Sequence, residues 1–554
     1  MNQSYVKGAD HPPLIDETVG QALVKAAHRF ADGIALIVHD QGIEWTWAEF
    51  AHRVDALATG LLGLGLTKGD RLGVWSPNRS EWVLAQMATA RIGVILVNIN
   101  PAYRLAEVEY ALNKVGCRAI IVAPAFKTSH YIEMLEQIGP ARLPHLEFRI
   151  SLGDDHWPGY LRFADVLKEP DAARIDAAAE GLQPTDPINV QFTSGTTGAP
   201  KGATLTHRNI LNNGFFVGQA IRLTPVDRVC IPVPLYHCFG MTMGNLACLT
   251  NGATMVYPGE AFEPELVLKS VEAYRCTALY GVPTMFVATL DYPGLDQFDL
   301  TSLRTGIMAG APCPEVVMQQ VMERMNMTEV TIAYGMTETS PVSFQTGMTD
   351  PVWARLATVG RVQPHLEVKI VTADGATAPH GVPGEICTRG YSVMAGYWDD
   401  AERTAEAIDA DGWMHTGDLG TIDEQAYCRI TGRIKDMLIR GGENIYPREI
   451  EEFLTRLPFL SDVQVVGIPD ERFGEEVCAC IRLRPGHEAS ADSVRKACHG
   501  QIAHYKVPRY VLFVDEFPMT VTGKVQKHLL RDQAIALLGN AAAGAPEIHS
   551  SGAG

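Results

Sequence analysis

Short apolar runs alternate along most of this chain with longer stretches in which apolar positions recur at helical spacing. Runs over 71–75, 94–97 and 118–122 predict strands, and amphipathic stretches over 80–92 and 105–114 predict helices between them. Ahead of this unit lie a predicted helix over 20–30 and a strand over 34–39. Thr46 and Glu49 then have capping-box spacing at the start of a helix over 48–62. After a polar, poorly patterned interval from about 145 to 187 the rhythm returns, with strands over 229–233, 253–257, 277–280, 305–309 and 329–333 and helices over 264–274 and 314–325. Strands in such alternation pair in parallel and are covered by helices, which gives an α/β fold with two doubly wound sheets.

Between about 360 and 430 the pattern shifts to short strands and turns, over 366–371, 385–389 and 426–430, and predicts an antiparallel, barrel-like subdomain. Beyond it, helices over 447–457 and 491–504 and strands over 463–467, 477–481 and 510–514 describe a small α+β domain. The expected organisation is a large domain over 1–435, a small C-terminal domain over 436–538, and a Gly-, Ala- and Ser-rich tail over 539–554 that frays.

Composition narrows the function classes. With 554 residues, 46% apolar and 20% charged, the chain buries more than one ordinary core. Its formal charge of −18 excludes a binder of nucleic-acid backbones, which needs a basic face. Acidic substrates must be met by local cations and amide hydrogens. The 11 cysteines contain no C-x-x-C pair and read as reduced, buried thiols, with Cys478 and Cys480 at strand spacing. The N-terminal residues have no apolar h-region and no run is long enough to span a bilayer. A cytoplasmic location is expected on this basis, with peripheral membrane contact left open.

The densest candidate chemistry is the stretch Thr193, Ser194, Gly195, Thr196, Thr197, Gly198, Ala199, Pro200, Lys201 and Gly202, between the strand over 188–192 and a helical segment beginning near Thr206. Glycines let backbone amides turn inward as an anion nest, and hydroxyls and an ammonium add donors, so the loop reads as a polyphosphate cradle. It departs from a Walker A loop, because Pro200 precedes the lysine and Gly202 follows it where a Ser or Thr would hold magnesium.

Other polar clusters fall where strands end, the place where open parallel sheets bind ligands. After the strand over 329–333 come Tyr334, Gly335, Thr337 and Glu338, suited to stacking on a base, touching phosphate and holding a divalent ion. The run from Pro232 to Gly240 places His237 with Tyr236 and Phe239 as the wall of an apolar pocket, or as ordinary core. A tight turn over 411–418 delivers Asp418, which could accept both hydroxyls of a ribose. Near the C-terminus, Lys524 follows Gly523 in a loop opening a basic helix, where a mobile ammonium could neutralise charge developing at phosphate.

Taken in order, these segments resemble the adenylate-forming family of acyl-CoA synthetases, luciferases and peptide-synthetase adenylation domains, from about residue 30 to 535. The resemblance implies that the loop over 193–202 embraces the ATP phosphates, that Tyr334 lies along adenine, and that Gly310, Ala311 and Pro312 line the adenine and acyl pocket. It implies Thr337 near the α-phosphate, Glu338 on Mg²⁺, Asp418 on ribose, Arg433 on nucleotide and Asp436 as a hinge. Lys524 becomes the adenylation lysine of a mobile small domain. That domain would first serve formation of acyl-AMP and pyrophosphate, then rotate so that Gly441, Gly442 and Glu443 guide the CoA thiol.

Within the family, the phrases over 234–240 and 440–447 look like medium- to long-chain fatty acyl-CoA synthetases, with His237 at the mouth of the acyl tunnel. Where some long-chain members carry a tryptophan gate, this chain has Met241, which with Met243, Met308 and Met336 could form an adaptable pocket. The expected partners are a carboxylic acid, ATP, CoA and Mg²⁺, on a monomer or homodimer. Alternatives are an aromatic or short sulfur-containing acid as substrate and, from another class, a non-catalytic nucleotide-binding protein on the same scaffold.

Overall fold

The computed structural model describes residues 3–193, 200–441, 443–520 and 525–542. Two compact units emerge, one made of residues up to 369 with 387–416 and 422–428, the other of 370–386, 417–421 and the chain from 429 onward.

The larger unit holds the two expected sheets. In the first, Arg71–Trp75 lies parallel between Ile95–Asn98 and Ala119–Val122, and Pro187–Thr193 continues the parallel order beside Ile95–Asn98. The second has a parallel centre of Arg228–Cys230, Thr254–Tyr257, Ala278–Gly281, Thr305–Ala309 and Glu329–Gly335. Ile34–Val38 joins the same sheet in parallel to Thr254–Tyr257, so the segment that reads as a prelude is structural core. The interior residues of these strands are buried because helices cover both faces of parallel strands. The helix Trp47–Gly63 opens with the Thr46–Glu49 capping box as its spacing predicts.

Two elements differ from the pattern. The helix Ser80–Ile92 is buried at every residue except Glu81, since Val19–Arg29, Trp47–Gly63 and Ala172–Ala179 pack around it. Polar side chains on it are tied down, with Arg91 paired to Asp55 at 2.9 Å and Thr89 donating to the Ala85 carbonyl at 2.8 Å, while the buried Trp82 Nε1 has no partner among the described residues. Residues 145–187, unpatterned in sequence, hold the strand Phe148–Ser151, which extends the first sheet beside Ala119–Val122, and the helix Ala172–Ala179.

Leu366–Val371, Gly384–Gly390, Met414–Ile422 and Cys428–Arg433 supply the curled half-barrel strands, the first of them antiparallel to Tyr5–Lys7. In the smaller unit, Leu460–Asp470 and Gly474–Leu483 form a long antiparallel pair, with Tyr510–Phe513 parallel to the latter. Alternation sorts its core. Val477, Ala479 and Ile481 face the cluster containing Ile450 and Val494, while Cys478 and Cys480 share the opposite face with Leu530 and Ala534. The helix Lys527–Ala542 takes in the first residues of the stretch expected to fray.

Candidate active site

The strand Pro187–Thr193 does not lead through its loop directly to a helix. It pairs antiparallel with a second strand, Lys201–Thr206, in a register that sets Thr193 opposite Lys201 and Phe192 opposite Gly202. The helix His207–Ala220 then starts from a Thr206 cap. Ser194, Gly195, Thr196, Thr197 and Gly198 lie outside the described residues, but both ends of their loop are fixed by this ladder. Tyr110 adds a tie at the exit, its hydroxyl donating to the Pro200 carbonyl at 3.1 Å.

The flanks of the loop meet Glu338. Thr193 Oγ1 donates to Glu338 Oε1 at 3.1 Å and the Tyr397 hydroxyl donates to the same oxygen at 2.9 Å. Lys201 Nζ sits over the Tyr397 ring, 4.9 Å from its centroid. Burial and the adjoining carboxylate push the Tyr397 phenol well above its ordinary pKa, which keeps it a donor. Glu338 itself is 5% exposed, carried on the short turn Thr337–Thr339 that follows Glu329–Gly335. The turn is braced from the half-barrel side, where Met394 N–H donates to the Glu338 carbonyl at 2.9 Å.

Tyr334 and Gly335 are the last residues of their strand. A β-carbon at 335 would stand 1.7 Å from the Pro341 carbonyl oxygen, so only glycine allows the chain to double back there. Gly310, with φ +87°, Ala311 and Pro312 follow the neighbouring strand Thr305–Ala309, which places them beside Tyr334 and Gly335 at the same sheet end.

His237 follows a third strand of that sheet, Arg228–Cys230. Its Nδ1 accepts from Phe239 N–H at 3.3 Å. Beyond it, Phe239–Leu246 is a π-helix rather than an ordinary helix start, a wide turn that sequence does not announce. Met241 and Met308 are fully buried and Met243 nearly so. The Met241 sulfur lies 3.6 Å from Asn98 Nδ2 and 3.7 Å from Gln191 Nε2. Met336 is half-buried against the same core.

Asp418, in the smaller unit, lies inside the strand Met414–Ile422 and not on a turn; the turn before that strand, Asp409 to Gly412, is closed by the Gly412 N–H donating to the Asp409 carbonyl. The strand presents a carboxylate that is 7% exposed and pairs with Arg433 Nε at 2.9 Å. Lys435, two residues on, has its ammonium pKa lowered by burial and by the Arg433 charge. Gly441 forms the turn between Leu438–Arg440 and Glu443–Ile445, its N–H donating to the Phe473 carbonyl at 2.8 Å. Gly442 and Lys524 are outside the described residues.

Tyr397 and Tyr110 escape sequence reading. The former joins the site only through the pairing of Gly396–Tyr397 with Lys201–Thr206, which sets Tyr397 opposite Ala203.

Comparison with known proteins agrees with this arrangement. The family described as AMP-binding enzyme matches residues 23–398, and the AMP-binding enzyme C-terminal domain matches 449–524. The medium-chain acyl-CoA ligase ACSF2, mitochondrial, of Danio rerio is 46% identical over 97% of this chain and 92% of its own. The putative acyl-CoA synthetase YngI of Bacillus subtilis (strain 168) is 46% identical over 94% of this chain and 98% of its own. Among solved structures, the anthranilate CoA ligase AuaEII in complex with anthranoyl-AMP superposes with a TM-score of 0.85 at 28% identity, over 96% of this chain and 99% of that one.

These relatives overturn the cytoplasmic expectation, because the Danio rerio ligase and its vertebrate counterparts are named as mitochondrial. The inference failed physically as well: a missing apolar segment says nothing about organelle import, whose leaders are amphipathic. No helix among the described residues is long and apolar enough to cross a membrane. The relatives also set aside the non-catalytic reading. Motif order, strand-end geometry and similarity over nearly the whole length converge, and the chain belongs to the AMP-binding enzyme family, as an AMP-forming ligase that activates a carboxylic acid with ATP through an adenylate and transfers it to CoA.

Proposed function

We propose that the acid is a medium-chain aliphatic one and that the chemistry is divided among named residues as follows. Thr193, Lys201 and the loop between them receive the triphosphate, Tyr334 and Gly310 to Pro312 border the adenine, and Thr337 serves the α-phosphate. Asp418 and Arg433 take the ribose side, Gly441 and Gly442 guide the CoA arm, and Lys524 supplies the cation for adenylation. His237 stands at the entrance for the acid. A small C-terminal domain from residue 436 carries Lys524.

The observation that carries this reading is the meeting of Thr193 and Lys201, the two flanks of the loop, at the Glu338–Tyr397 pair. Both hydroxyls bond Oε1 of Glu338, so Oε2 has no hydroxyl donor among the described residues. A hard divalent cation takes such an oxygen, and Mg²⁺ held by Glu338 would neutralise triphosphate charge.

A free carboxylate is a poor acyl donor. One of its oxygens attacks the α-phosphorus, the α–β bridging bond breaks, and pyrophosphate leaves. The CoA sulfur then attacks the acyl carbon, AMP departs as a stabilised anion, and the thiol proton is released. Preorganised cations and amide donors act where negative charge develops, which is the largest lever available to such a site.

Support for medium chain length comes from the medium-chain acyl-CoA ligases that this chain resembles at 46% identity, and Phe239 and Tyr280 are stacked 5.8 Å apart at 27° beside the His237 segment. They join the His237 segment to the strand Ala278–Gly281, where an aromatic pair could limit the length of a bound chain. The experiment is acid-dependent pyrophosphate release over a panel from acetate to stearate, with benzoate and anthranilate included, and with the thioester identified by mass. A maximum near octanoate is expected. A maximum at an aromatic or short acid would replace the aliphatic reading, and no release with any acid would defeat the residue assignment.

A further inference from the structure

His237 is bracketed by a relay of buried side chains that begins and ends on its two neighbours. Cys238 Sγ donates to Gln191 Oε1 at 3.3 Å, Gln191 Nε2 to Asn189 Oδ1 at 2.9 Å, and Asn189 Nδ2 to Asn98 Oδ1 at 2.9 Å. Asn98 Nδ2 closes the circuit on the Tyr236 carbonyl at 2.8 Å. The three carboxamides lie on adjacent parallel strands, Gln191 directly opposite Asn98, and none is more than 3% exposed. Burial pushes the Cys238 thiol up to about 12, so it remains a protonated donor.

Each group in this circuit donates to the next. Reversing one amide would set two donors or two acceptors face to face, which fixes a single arrangement for the whole ring. A second relay holds the following π-helix, from the Tyr257 hydroxyl to Asn245 at 2.7 Å, Asn245 to Gln86 at 2.8 Å, and Gln86 to the Met241 carbonyl at 3.2 Å. Apolar side chains of similar size could fill this space. They would not dictate where the Tyr236 carbonyl and the Cys238 sulfur stand, and hence where His237 stands between them.

We infer that Asn98, Asn189 and Gln191 are positioning residues for the acid, acting through the backbone on either side of His237. The inference rests on the reading of residues 236–241 as the acid-site wall.

The test uses the full chain and pyrophosphate release with acid and ATP varied separately. Asn98→Leu should raise KM for octanoate about tenfold and flatten the chain-length profile, with KM for ATP changed less than about twofold. Cys238→Ala should move the same quantities in the same direction, and Cys238→Ser, which restores an O–H donor to Gln191, should return them toward wild type. Should Asn98→Leu fail to fold, the Cys238 pair decides. Parallel loss for acid and ATP, no change in either, or Cys238→Ser behaving as Cys238→Ala would overturn the inference while leaving the acid site intact. An inert wild type would instead remove the acid-site reading on which the inference stands.

Discussion

Thr193 and Glu338, 145 positions apart in sequence, are joined by a 3.1 Å hydrogen bond, so the strand Pro187–Thr193 and the turn after a strand of the other sheet meet at one carboxylate. The bond couples two parts of the proposed nucleotide site. Removing the charge should therefore cost more than removing the donor. Glu338→Gln is expected to lower pyrophosphate release on the order of 100-fold, the scale of losing a preorganised charge at phosphate. Thr193→Val and Tyr397→Phe should each raise KM for ATP about tenfold, the worth of one hydrogen bond to a charged group. Initial rates against ATP at several Mg²⁺ concentrations check all three. A Glu338→Gln enzyme with wild-type Mg²⁺ dependence would remove the carboxylate as metal holder.

Asp418 offers a second test, since its carboxylate already has Arg433 at 2.9 Å to fix its direction. An aspartate so held can accept both ribose hydroxyls. Wild type should use ATP at least about tenfold better than 2′,3′-dideoxy-ATP, two lost bonds to a charged acceptor, and Asp418→Ala should barely distinguish them. Competition between the two nucleotides, scored by adenylate formed, reads the ratio directly. Retained discrimination in the variant would move the ribose site elsewhere.

Lys524, in its proposed role, would separate the half-reactions. If it acts only on the attack at α-phosphate, Lys524→Ala should suppress acid-dependent pyrophosphate release about 100-fold or more, the scale of losing transition-state charge stabilisation. Conversion of synthetic octanoyl-AMP and CoA into thioester should persist within about threefold in the same variant. Loss of both activities would mean that the lysine serves the whole site, and loss of neither would remove it from catalysis.

Much of this was legible in the chain, for identifiable reasons. Parallel strands buried on both faces read as unbroken apolar runs, which is why 71–75, 118–122 and 305–309 stand out in sequence. The strand Lys201–Thr206 does not, because Lys-Gly-Ala-Thr-Leu-Thr owes its conformation to pairing with Pro187–Thr193 and not to its own propensity. Asp418 reads as a turn residue for a similar reason: Gly412 and Gly417 both have positive φ, yet only the first closes a turn, and the second sits within a strand. Tyr397, Asn98 and Gln191 are invisible to motif reading. Each matters through a partner more than 40 positions away, Glu338, Tyr236 and Cys238 respectively, and only the register brings them together.

Phe239 and Tyr280 give a prediction on specificity. The stacked pair joins the π-helix to Ala278–Gly281 and would set the depth of the acid site. Phe239→Ala should shift the preferred acid toward longer chains by several carbons, with kcat/KM for octanoate falling about tenfold and that for palmitate rising. A profile that falls uniformly would show the pair to be packing alone.

His207 should make the protein's stability depend on pH. It is fully buried at the first turn of His207–Ala220; its Nδ1 accepts from Val19 N–H at 3.1 Å, and Nε2 has no partner among the described residues. Burial lowers its pKa from 6.5 to about 4. The unfolded chain then binds a proton between those values that the folded chain refuses, so stability is complete above about pH 6.5 and falls as pH drops toward 4. A shift of that size corresponds to roughly 3 kcal/mol across the window. Thermal melts of wild type and His207→Gln from pH 4 to 8 check the sign. The wild-type midpoint should decline through the window more steeply than the variant's, even if the variant is less stable at neutral pH. Equal slopes would mean that the acid sensitivity arises from other groups.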